Sequence, residues 1–337
     1  MKKLRMLLNR ISSMSFKKMF MMIKQIHKEY NKNSLIILID MIFCALKNNI
    51  GYQDYRVFGF AKLNRKERKT FLTMNHNLAL VRKMNNKEFY ETYNNKTLFL
   101  KKYTEYIKRD WIDLNKKTAH EFQNFCKNKE SVFAKTPSSF GGQGIVEIKI
   151  TPYINFEALY KELIKSGQTL VEEKIIQHEK MSSLHTSSLN TVRVVTLKKD
   201  GKIIVISRIL RMGQEGNVID NITSGGIYAP VDALGVVSHP AFCDKTGETF
   251  KVHPTSKTFL IGFEVPYFKE AIDMVTKIAT EETEMNYIGW DVAITPDGPL
   301  IVEGNNLPSY EIMQNYLHRN NNEGLLPRIE KIIGEKL

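Results

Sequence analysis

The chain has 337 residues, of which 42% are hydrophobic and 25% charged, a composition typical of a soluble protein with two or three packed subdomains. No run reaches the roughly 18 apolar residues needed to cross a bilayer, and no signal peptide follows the basic N-terminus, so we expect a cytoplasmic protein. The three cysteines, Cys44, Cys126 and Cys243, are odd in number and far apart, which argues against a disulfide framework and a metal knuckle.

The charge of the chain is uneven. Residues 1–110 contain 24 lysines and arginines against 8 aspartates and glutamates, whereas the rest of the chain contains 25 against 28. A basic N-terminal region can make peripheral contact with a membrane leaflet or another anionic acceptor, or it can be a solvated helical face in a lysine-rich chain. Nucleic acid is not expected, because the basic residues are not interleaved with a stacking platform or recognition motif.

The predicted elements change in character along the chain. Residues 1–94 are predicted to be basic helices, because apolar residues recur at three- and four-residue steps from Leu4 onwards. The helices predicted after this region are 97–107, 119–127, 156–166 and 267–280. The predicted strands are 131–134, 145–150, 169–176, 191–197, 202–210, 288–295 and 299–303. This mixture of short strands, hairpins and helices predicts an α+β fold.

The last predicted hairpin carries three oxygen-bearing side chains. Asp291 lies in the middle of one strand, and Glu303 and Asn305 follow the turn at 296–298. Residues two apart on a strand share a face, so Glu303 and Asn305 point one way and the hairpin can bring Asp291 opposite them. Two carboxylates and an amide oxygen suit Mg²⁺. A surface hairpin with acidic ends is the alternative, but its apolar neighbours indicate buried strands, where unpaired carboxylates are costly.

A second feature is the strand that delivers Lys135 into a loop of small residues at 136–144. The lysine supplies positive charge, and backbone N–H groups in such a loop can approach phosphate oxygens without side chains in the way. The segment is not a P-loop, because no Gly-Lys-Ser/Thr follows. Glycine-rich loops are common, so this feature alone leaves a plain connecting loop open.

Two further segments place charges among apolar residues. Glu172 and Glu173 lie at the end of a strand whose backbone can pair with an adenine edge, although an ordinary amphipathic edge strand has the same pattern. Arg193 and Arg211 belong to otherwise apolar strands and therefore need partners. A phosphate or carboxylate suits the forked donors of arginine, and a structural salt bridge is the alternative.

Taken in order, these segments resemble the ATP-grasp superfamily, and most closely the sugar-transfer-associated ATP-grasp proteins of surface-polysaccharide biosynthesis. The stretches that carry the resemblance are VFAKTPSSFGGQGI, LVEEKIIQH, LNTVRVVTL, LRMGQEGNVIDNITSGGIYAPVD and IGWDVAITPDGPLIVEGNNLPSYEIMQ. They span about residues 95–315, and the ordered set is far more specific than any one piece. The resemblance implies an ATP-grasp fold, in which subdomains 95–176 and 177–337 clasp ATP, after the helical region 1–94.

The resemblance also implies roles for individual residues. Lys135 corresponds to the lysine before the glycine-rich loop, and Lys96 is the choice for an earlier family lysine, with Lys101 and Lys102 as rivals. The implied phosphate loop and adenine hinge consist of Ser138, Ser139, Gly141, Gly142, Gly144, Glu172, Glu173, Lys174 and Ile175.

On the second subdomain, Arg193 and Arg211 resemble the family arginines that steady the γ-phosphate or an acyl phosphate. Asn221 lies between Arg211 and a Gly-Gly pair, a run also found in related glutamate ligases. Asp291, Glu303 and Asn305 correspond to the family's two-metal site. The N-terminal helices depart from the resemblance, because a strand-rich domain usually stands there.

The activity implied by the resemblance is that of a carboxylate–amine or carboxylate–thiol ligase. ATP phosphorylates a carboxylate to an acyl phosphate, with two Mg²⁺ ions, Lys135, Arg193 and Arg211 neutralising charge on the phosphoryl group. A nucleophile then displaces phosphate. The expected substrates are small-molecule or glycan-linked carboxylates and amines. A kinase acting on a hydroxyl and a nucleotide-binding partner of a glycosyltransferase are the alternatives.

Overall fold

The computed structural model describes residues 15–139, 141–214, 222 and 225–337. Two compact units divide the chain. The helical unit comprises the described residues up to His76 together with Tyr310–Lys331, and the two-sheet unit comprises Asn77–Ser309 and Ile332–Leu337. The subdomain boundaries expected at 94/95 and 176/177 both fall inside the two-sheet unit and stay predictions.

The helical unit confirms the helical N-terminal region from Phe16 onwards, and residues 1–14 of that prediction lie outside the described residues. Its N-terminal helices are α1 (Phe16–Tyr30), α2 (Ser34–Asn48), α3 (Tyr52–Val57) and α4 (Arg65–Arg68). Ser15 caps α1 by accepting a hydrogen bond from the Lys18 backbone N–H at 3.4 Å, and Asn33 caps α2 by accepting from the Leu35 N–H at 2.8 Å. No helix among the residues described is long and apolar enough to span a membrane.

The core of the helical unit contains a cluster of aromatic rings. Phe58, Phe60 and Phe71 are almost fully buried, and their ring centroids lie 4.9 to 5.5 Å apart. Such tilted and edge-on ring pairs stabilise a core beyond the area they bury. Two short 3₁₀ turns, Ile312–Gln314 and Tyr316–His318, belong to the same unit.

The two-sheet unit mixes helices and strands, which confirms the α+β class. Its elements, with the two helices that lie at its chain boundaries, are α5 (Met74–Met84), α6 (Tyr90–Asn94), α7 (Lys96–Lys102), α8 (Thr104–Ile107), β1 (Trp111–Asp113), α9 (Ala119–Cys126), β2 (Ser131–Lys135), β3 (Ile145–Lys149), α10 (Phe156–Ser166), β4 (Leu170–Glu173), α11 (Glu179–Ser182), β5 (Thr191–Lys199), β6 (Lys202–Met212), β7 (Ile227–Pro230), β8 (Ala241–Phe242), β9 (Thr249–Phe250), α12 (Phe268–Glu281), β10 (Tyr287–Thr295), β11 (Gly298–Asn305) and α13 (Leu326–Ile333).

The smaller sheet has four antiparallel strands in the order β1-β4-β2-β3. Its apolar face packs against α9 and α10 around Phe122, Val132 and Leu163. The helix α10 begins after Asn155, whose side chain accepts from the Ala158 N–H, and ends at Gly167, whose φ is +76°. The strands β2 and β4 are antiparallel neighbours, with Lys135 opposite Leu170 and Glu172 opposite Phe133.

The larger sheet has seven antiparallel strands in the order β11-β10-β5-β6-β7-β8-β9. The strand β10 lies between β11 and β5, and Trp290 in its middle is fully buried, with its indole Nε1 donating to the Thr196 hydroxyl at 2.9 Å. The helix α12 packs against this core through residues that include Ala271 and Val275. Side chains on the opposite face of β10 are thereby placed between those of β5 and β11.

Candidate active site

The centre of the site is Asp291 on β10. It lies in register with Glu303 on β11 and with Arg193 on β5. Arg193 donates two hydrogen bonds to this carboxylate, from Nε to Oδ1 and from Nη2 to Oδ2 at 2.7 Å. Arg211 donates from Nη1 to Oδ2 at 2.7 Å. Burial alone would raise the pKa of Asp291, but the two guanidinium groups outweigh it and hold that pKa well below its usual range. Asp291 is therefore ionised.

Glu303 and Asn305 complete a set of oxygen donors beside Asp291. Burial and the neighbouring charge of Asp291 raise the pKa of Glu303. The Asn305 amide Nδ2 lies 3.4 Å from both the Gly289 carbonyl oxygen and Glu303 Oε1. Within the described ranges, no group of three acidic, histidine or cysteine side chains is placed to hold a metal. The role of Asn305 as the third ligand stays a prediction.

This donor set fits a magnesium ion. All three side chains offer the hard oxygen atoms that Mg²⁺ prefers. A divalent cation beside the two carboxylates would offset their mutual repulsion, which together with burial raises the pKa of Glu303. Asp291 already accepts from both arginines, so a cation on its carboxylate must share or replace at least one of those contacts. The two arginines predicted to bind phosphate and the aspartate predicted to bind metal therefore belong to one hydrogen-bonded cluster.

Lys135 lies at the end of β2, on the smaller sheet. Its Nζ is 2.8 Å from Oε1 of the buried Glu172 on the neighbouring strand β4. Arg109 donates from Nε to the other oxygen of Glu172, Oε2, at 2.6 Å. Burial alone would raise the pKa of Glu172, but Arg109 and Lys135 more than offset it and lower that pKa to about 2.

Arg109 also connects the two sheets. Its Nη1 donates to the Ile301 carbonyl at 2.9 Å and its Nη2 to the Val302 carbonyl at 3.3 Å, both on β11. Glu172 on the smaller sheet is therefore tied to the strand that carries Glu303. This role could not be predicted from the sequence, because Arg109 lies in a short charged segment before β1 that has the composition of an ordinary surface loop.

Lys96, at the start of α7, reaches the glycine-rich loop. Its Nζ donates to the Ser139 carbonyl and lies 3.3 Å from the Ser139 hydroxyl, while its backbone N–H donates to the Pro137 carbonyl at 2.9 Å. Burial, together with Lys135, lowers the pKa of Lys96 against the opposing effects of Glu303 and Glu172. These electrostatic interactions place Lys96 with the other charged groups of the site.

The two rival lysines lie elsewhere. Lys102 forms an ion pair with the buried Glu282 at 2.5 Å, and that carboxylate also accepts from the hydroxyl groups of Tyr93 and Tyr103. Lys101 is exposed. Of the three lysines considered from the sequence, the structure brings only Lys96 to the loop.

The loop itself closes on a backbone hydrogen bond from the Thr136 N–H to the Gly144 carbonyl at 3.2 Å. Gly141, Gly142 and Gly144 have φ values of +67°, +76° and +68°. A Cβ on Gly144 would lie 2.6 Å from the Thr136 hydroxyl. Both the positive φ and this close contact therefore disfavour any residue with a side chain at this position. Ser138, Gly141 and Gly144 are exposed, and their backbone is therefore accessible to a ligand.

The hinge residues divide between buried and outward positions. Glu172 belongs to the site, whereas Glu173 accepts from the Asp110 N–H at 3.1 Å and Lys174 pairs with Glu147 at 2.8 Å. Ile175 is half-buried in the segment after β4, which forms neither helix nor strand. The adenine contact expected of this segment stays a prediction. Asn221 lies outside the described residues.

The two sheets and their helices combine a lysine and a glycine-rich loop with a hairpin that carries two carboxylates and an asparagine. This combination defines an ATP-grasp protein. Residues 74–334 match the family described as sugar-transfer-associated ATP-grasp. The match covers most of the chain, which therefore belongs to this family and to the ATP-grasp superfamily. No curated protein sequence matches the chain.

Several solved ligase and carboxylase structures are similar at low identity. D-alanyl-alanine synthetase A from Vibrio cholerae is 12% identical with a TM-score of 0.40, and the alignment covers 73% of this chain and 62% of that one. For an L-amino acid ligase from Bacillus licheniformis the values are 12%, 0.41, 72% and 48%. For biotin carboxylase from Campylobacter jejuni they are 11%, 0.43, 66% and 45%. The chain thus spans about half to three-fifths of the length of these structures.

Proposed function

We propose that this chain is a Mg²⁺- and ATP-dependent ligase that joins a carboxylate to an amine through an acyl phosphate, in the biosynthesis of a cell-surface polysaccharide or glycoconjugate. The observation that carries the proposal is that two charged clusters lie in the same unit and are connected by Arg109. Asp291 with its two arginines lies on the larger sheet, and Lys135 with Glu172 lies on the smaller one. Arg109 joins Glu172 to β11.

Each cluster has a distinct task in this proposal. Lys96, Lys135 and the N–H groups of the glycine-rich loop hold the phosphates of ATP. Asp291, Glu303 and Asn305 would hold magnesium, which would supply charge neutralisation at the reacting phosphoryl group. Membership of the ATP-grasp family and the oxygen-only donor set support these assignments.

Arg193 and Arg211 stabilise the charge that develops during transfer. Both side chains are buried, and in a buried site such donors act more strongly than they do in water. Their present hydrogen bonds to Asp291 keep them oriented toward the metal-binding side chains. Release of one arginine from Asp291 would free donors for a phosphate oxygen.

The chemistry proceeds in two displacements. A carboxylate oxygen of the substrate attacks the γ-phosphorus of ATP, the bond from that phosphorus to the β–γ bridging oxygen breaks, and ADP leaves with the bonding electrons. The amine nitrogen then attacks the acyl carbon, the bond from carbon to the phosphate oxygen breaks, and inorganic phosphate leaves. The proton lost from nitrogen passes to phosphate or solvent, and a neutral amine requires no strong base.

The test is product analysis by mass spectrometry. Purified protein is incubated with Mg–ATP and a panel of carboxylates and amines, and we expect ADP, phosphate and an amide only when both substrate types are present. ADP with a stable phosphorylated hydroxyl product would show a kinase instead. AMP formation, or nucleotide binding without turnover under every condition, would also contradict the proposal.

Two variants control the experiment. Asp291→Ala should abolish turnover, but it also leaves Arg193 and Arg211 without their buried carboxylate and can disturb folding. Asn305→Ala removes a half-buried amide that forms no ion pair, so its fold should be intact while its activity falls about tenfold or more through the lost metal ligand. Full activity in both variants would refute the metal assignment.

A further inference from the structure

The helix α2 in the helical unit is apolar on two opposite sides. One side packs inward through Ile37, Met41 and Cys44, which are almost fully buried. The other side, here called the outer face of α2, is between 50% and 64% exposed and consists of Leu35, Ile36, Ile39, Ile42, Phe43 and Leu46. These positions recur with helical spacing, so they form one continuous stripe. A helix that is apolar all round is normally covered on every side.

The outer face of α2 is a contiguous apolar patch and not a set of scattered surface residues. Large apolar side chains have on the order of 200 Å² of surface each, so six of them at these exposures present roughly 700 Å². Phe16 and Phe20 of α1 are about half exposed as well. A groove of about 440 Å³ lies beside the outer face, lined by Ile36, Ile39, Phe43 and Tyr55 among others. Contiguous patches of this size mark interaction sites.

The charges around this face are mostly positive. Residues 15–76 contain 12 lysines and arginines and only 4 aspartates and glutamates. The two acidic residues of α1 and α2 are already neutralised, because Glu29 pairs with Arg56 at 2.9 Å and Asp40 pairs with Arg68 at 2.7 Å. The cationic surface is therefore not balanced by these carboxylates.

Four exposed lysines stand on α1 without a carboxylate partner among the described residues, namely Lys17, Lys18, Lys24 and Lys28. Lys47, near the end of α2, lies over the ring of Phe43 at 5.2 Å from its centroid. Lys32 lines the groove beside the outer face, so Lys32 and Lys47 place positive charge next to the apolar stripe, and the four lysines of α1 belong to the same unit. An apolar stripe with positive charge beside it is the pattern of a helix that lies in the interface of an anionic membrane.

We propose that the outer face of α2, together with the lysines of α1, docks this protein on the surface of an anionic lipid bilayer. The apolar side chains enter the boundary between headgroups and acyl chains, and the lysines contact anionic headgroups. A second copy of the chain fits the face less well, since association would bring two lysine-rich surfaces together.

The test is flotation of the full chain with lipid vesicles. We expect it to float with vesicles of phosphatidylcholine and phosphatidylglycerol and to float far less with pure phosphatidylcholine. The bound fraction should fall as salt rises, because salt screens the lysines from the headgroups. Light scattering in the same buffer reports whether the protein is a monomer.

Three variants locate the surface. Ile39→Gln with Phe43→Gln should lower the partition coefficient about tenfold or more, because both side chains leave the apolar stripe. Lys24→Gln with Lys28→Gln should weaken binding to the anionic vesicles alone. Leu234→Gln is the matched control, since Leu234 is 86% exposed but lies in the other unit, and its binding should equal that of the unaltered protein.

Thermal unfolding checks that each variant is folded, as expected for exposed positions. Unchanged flotation of the Ile39→Gln/Phe43→Gln variant would overturn the proposal, as would equal binding to neutral and anionic vesicles. A dimer that ignores vesicles and becomes monomeric in that variant would also overturn it and would identify the face as an interface between copies. Full-chain protein that stays unbound and monomeric would likewise overturn the proposal.

Discussion

The buried carboxylate of Glu172 should be a major source of stability in the smaller sheet. It accepts from Arg109 at 2.6 Å and pairs with Lys135 at 2.8 Å. These contacts lower its pKa from an ordinary 4.5 to about 2, against the opposing effect of burial. Converted by the standard relation between pKa and free energy, this difference corresponds to roughly 3 kcal/mol at neutral pH. Glu172→Gln removes the charge while preserving the size of the side chain.

The sign of the pH dependence follows from the direction of that pKa change. A carboxyl group whose pKa is lower in the folded state stabilises the fold above pH 4.5, and this contribution is lost as the pH falls from about 4.5 toward 2. Over this pH range the unaltered protein should therefore lose the stabilisation by the Glu172 carboxylate, which the Glu172→Gln variant lacks at every pH. The two stability curves should converge on acidification.

The assay is urea unfolding followed by tryptophan fluorescence, at neutral pH and between pH 5 and 3. Trp111 lies opposite Glu172 in register and reports on this sheet. Glu147→Gln is the control, because Glu147 pairs with Lys174 in a partly exposed ion pair, which should contribute at most about 1 kcal/mol. A Glu172→Gln variant within about 0.5 kcal/mol of the unaltered protein, or with the same pH dependence, would refute the reasoning.

Three further predictions concern the nucleotide site. Lys135→Met should lower kcat/KM for ATP by about 100-fold or more in an ADP-release assay, because the charge facing the phosphates is lost. Gly144→Ala should raise the Kd for ATP about tenfold by calorimetry, because its Cβ would lie 2.6 Å from the Thr136 hydroxyl; Gly201→Ala, also at positive φ but with no atom within 4 Å, should leave that Kd unchanged. Lys96→Ala should weaken ATP binding about tenfold, measured by the same titration, because it releases the loop at Ser139.

The final hairpin shows what the sequence can predict well. Its strands were expected at 288–295 and 299–303, and they run from Tyr287 to Thr295 and from Gly298 to Asn305. Apolar alternation and the turn at 296–298 are local signals, so they specify both strands and the register of the residues next to the turn. Beyond Val292, which lies opposite Ile301, an irregularity shifts the register by one residue. This shift places Asp291 opposite Glu303, the pairing that the sequence predicted, whereas the register of the turn alone would place Asp291 opposite Val302.

Contacts between strands that are distant along the chain could not be predicted from the sequence. Arg193 was expected to need an anionic partner, but its pairing with Asp291 depends on β5 lying beside β10, which no local pattern specifies. The contact of Arg109 with Glu172 has the same origin. The helix expected at 97–107 is divided at Tyr103, whose hydroxyl turns toward the buried Glu282, and helical periodicity alone could not show this.

The helix α2 illustrates a different limit. Apolar spacing predicted helices throughout the N-terminal region, and α2 is indeed helical. Because apolar residues surround this helix, the pattern could not tell which side packs inward. Only the structure separates the buried Ile37 and Met41 from the exposed Ile39 and Phe43.

The central claim is that this site activates a carboxylate by phosphorylation, and isotope transfer tests it most directly. A carboxylate found to support ADP release is labelled with ¹⁸O on both oxygens and incubated with the enzyme, Mg–ATP and the amine. If an acyl phosphate forms, one ¹⁸O passes into inorganic phosphate for each amide made, and mass spectrometry detects it. Phosphate free of ¹⁸O, or ¹⁸O found in AMP, would contradict the account.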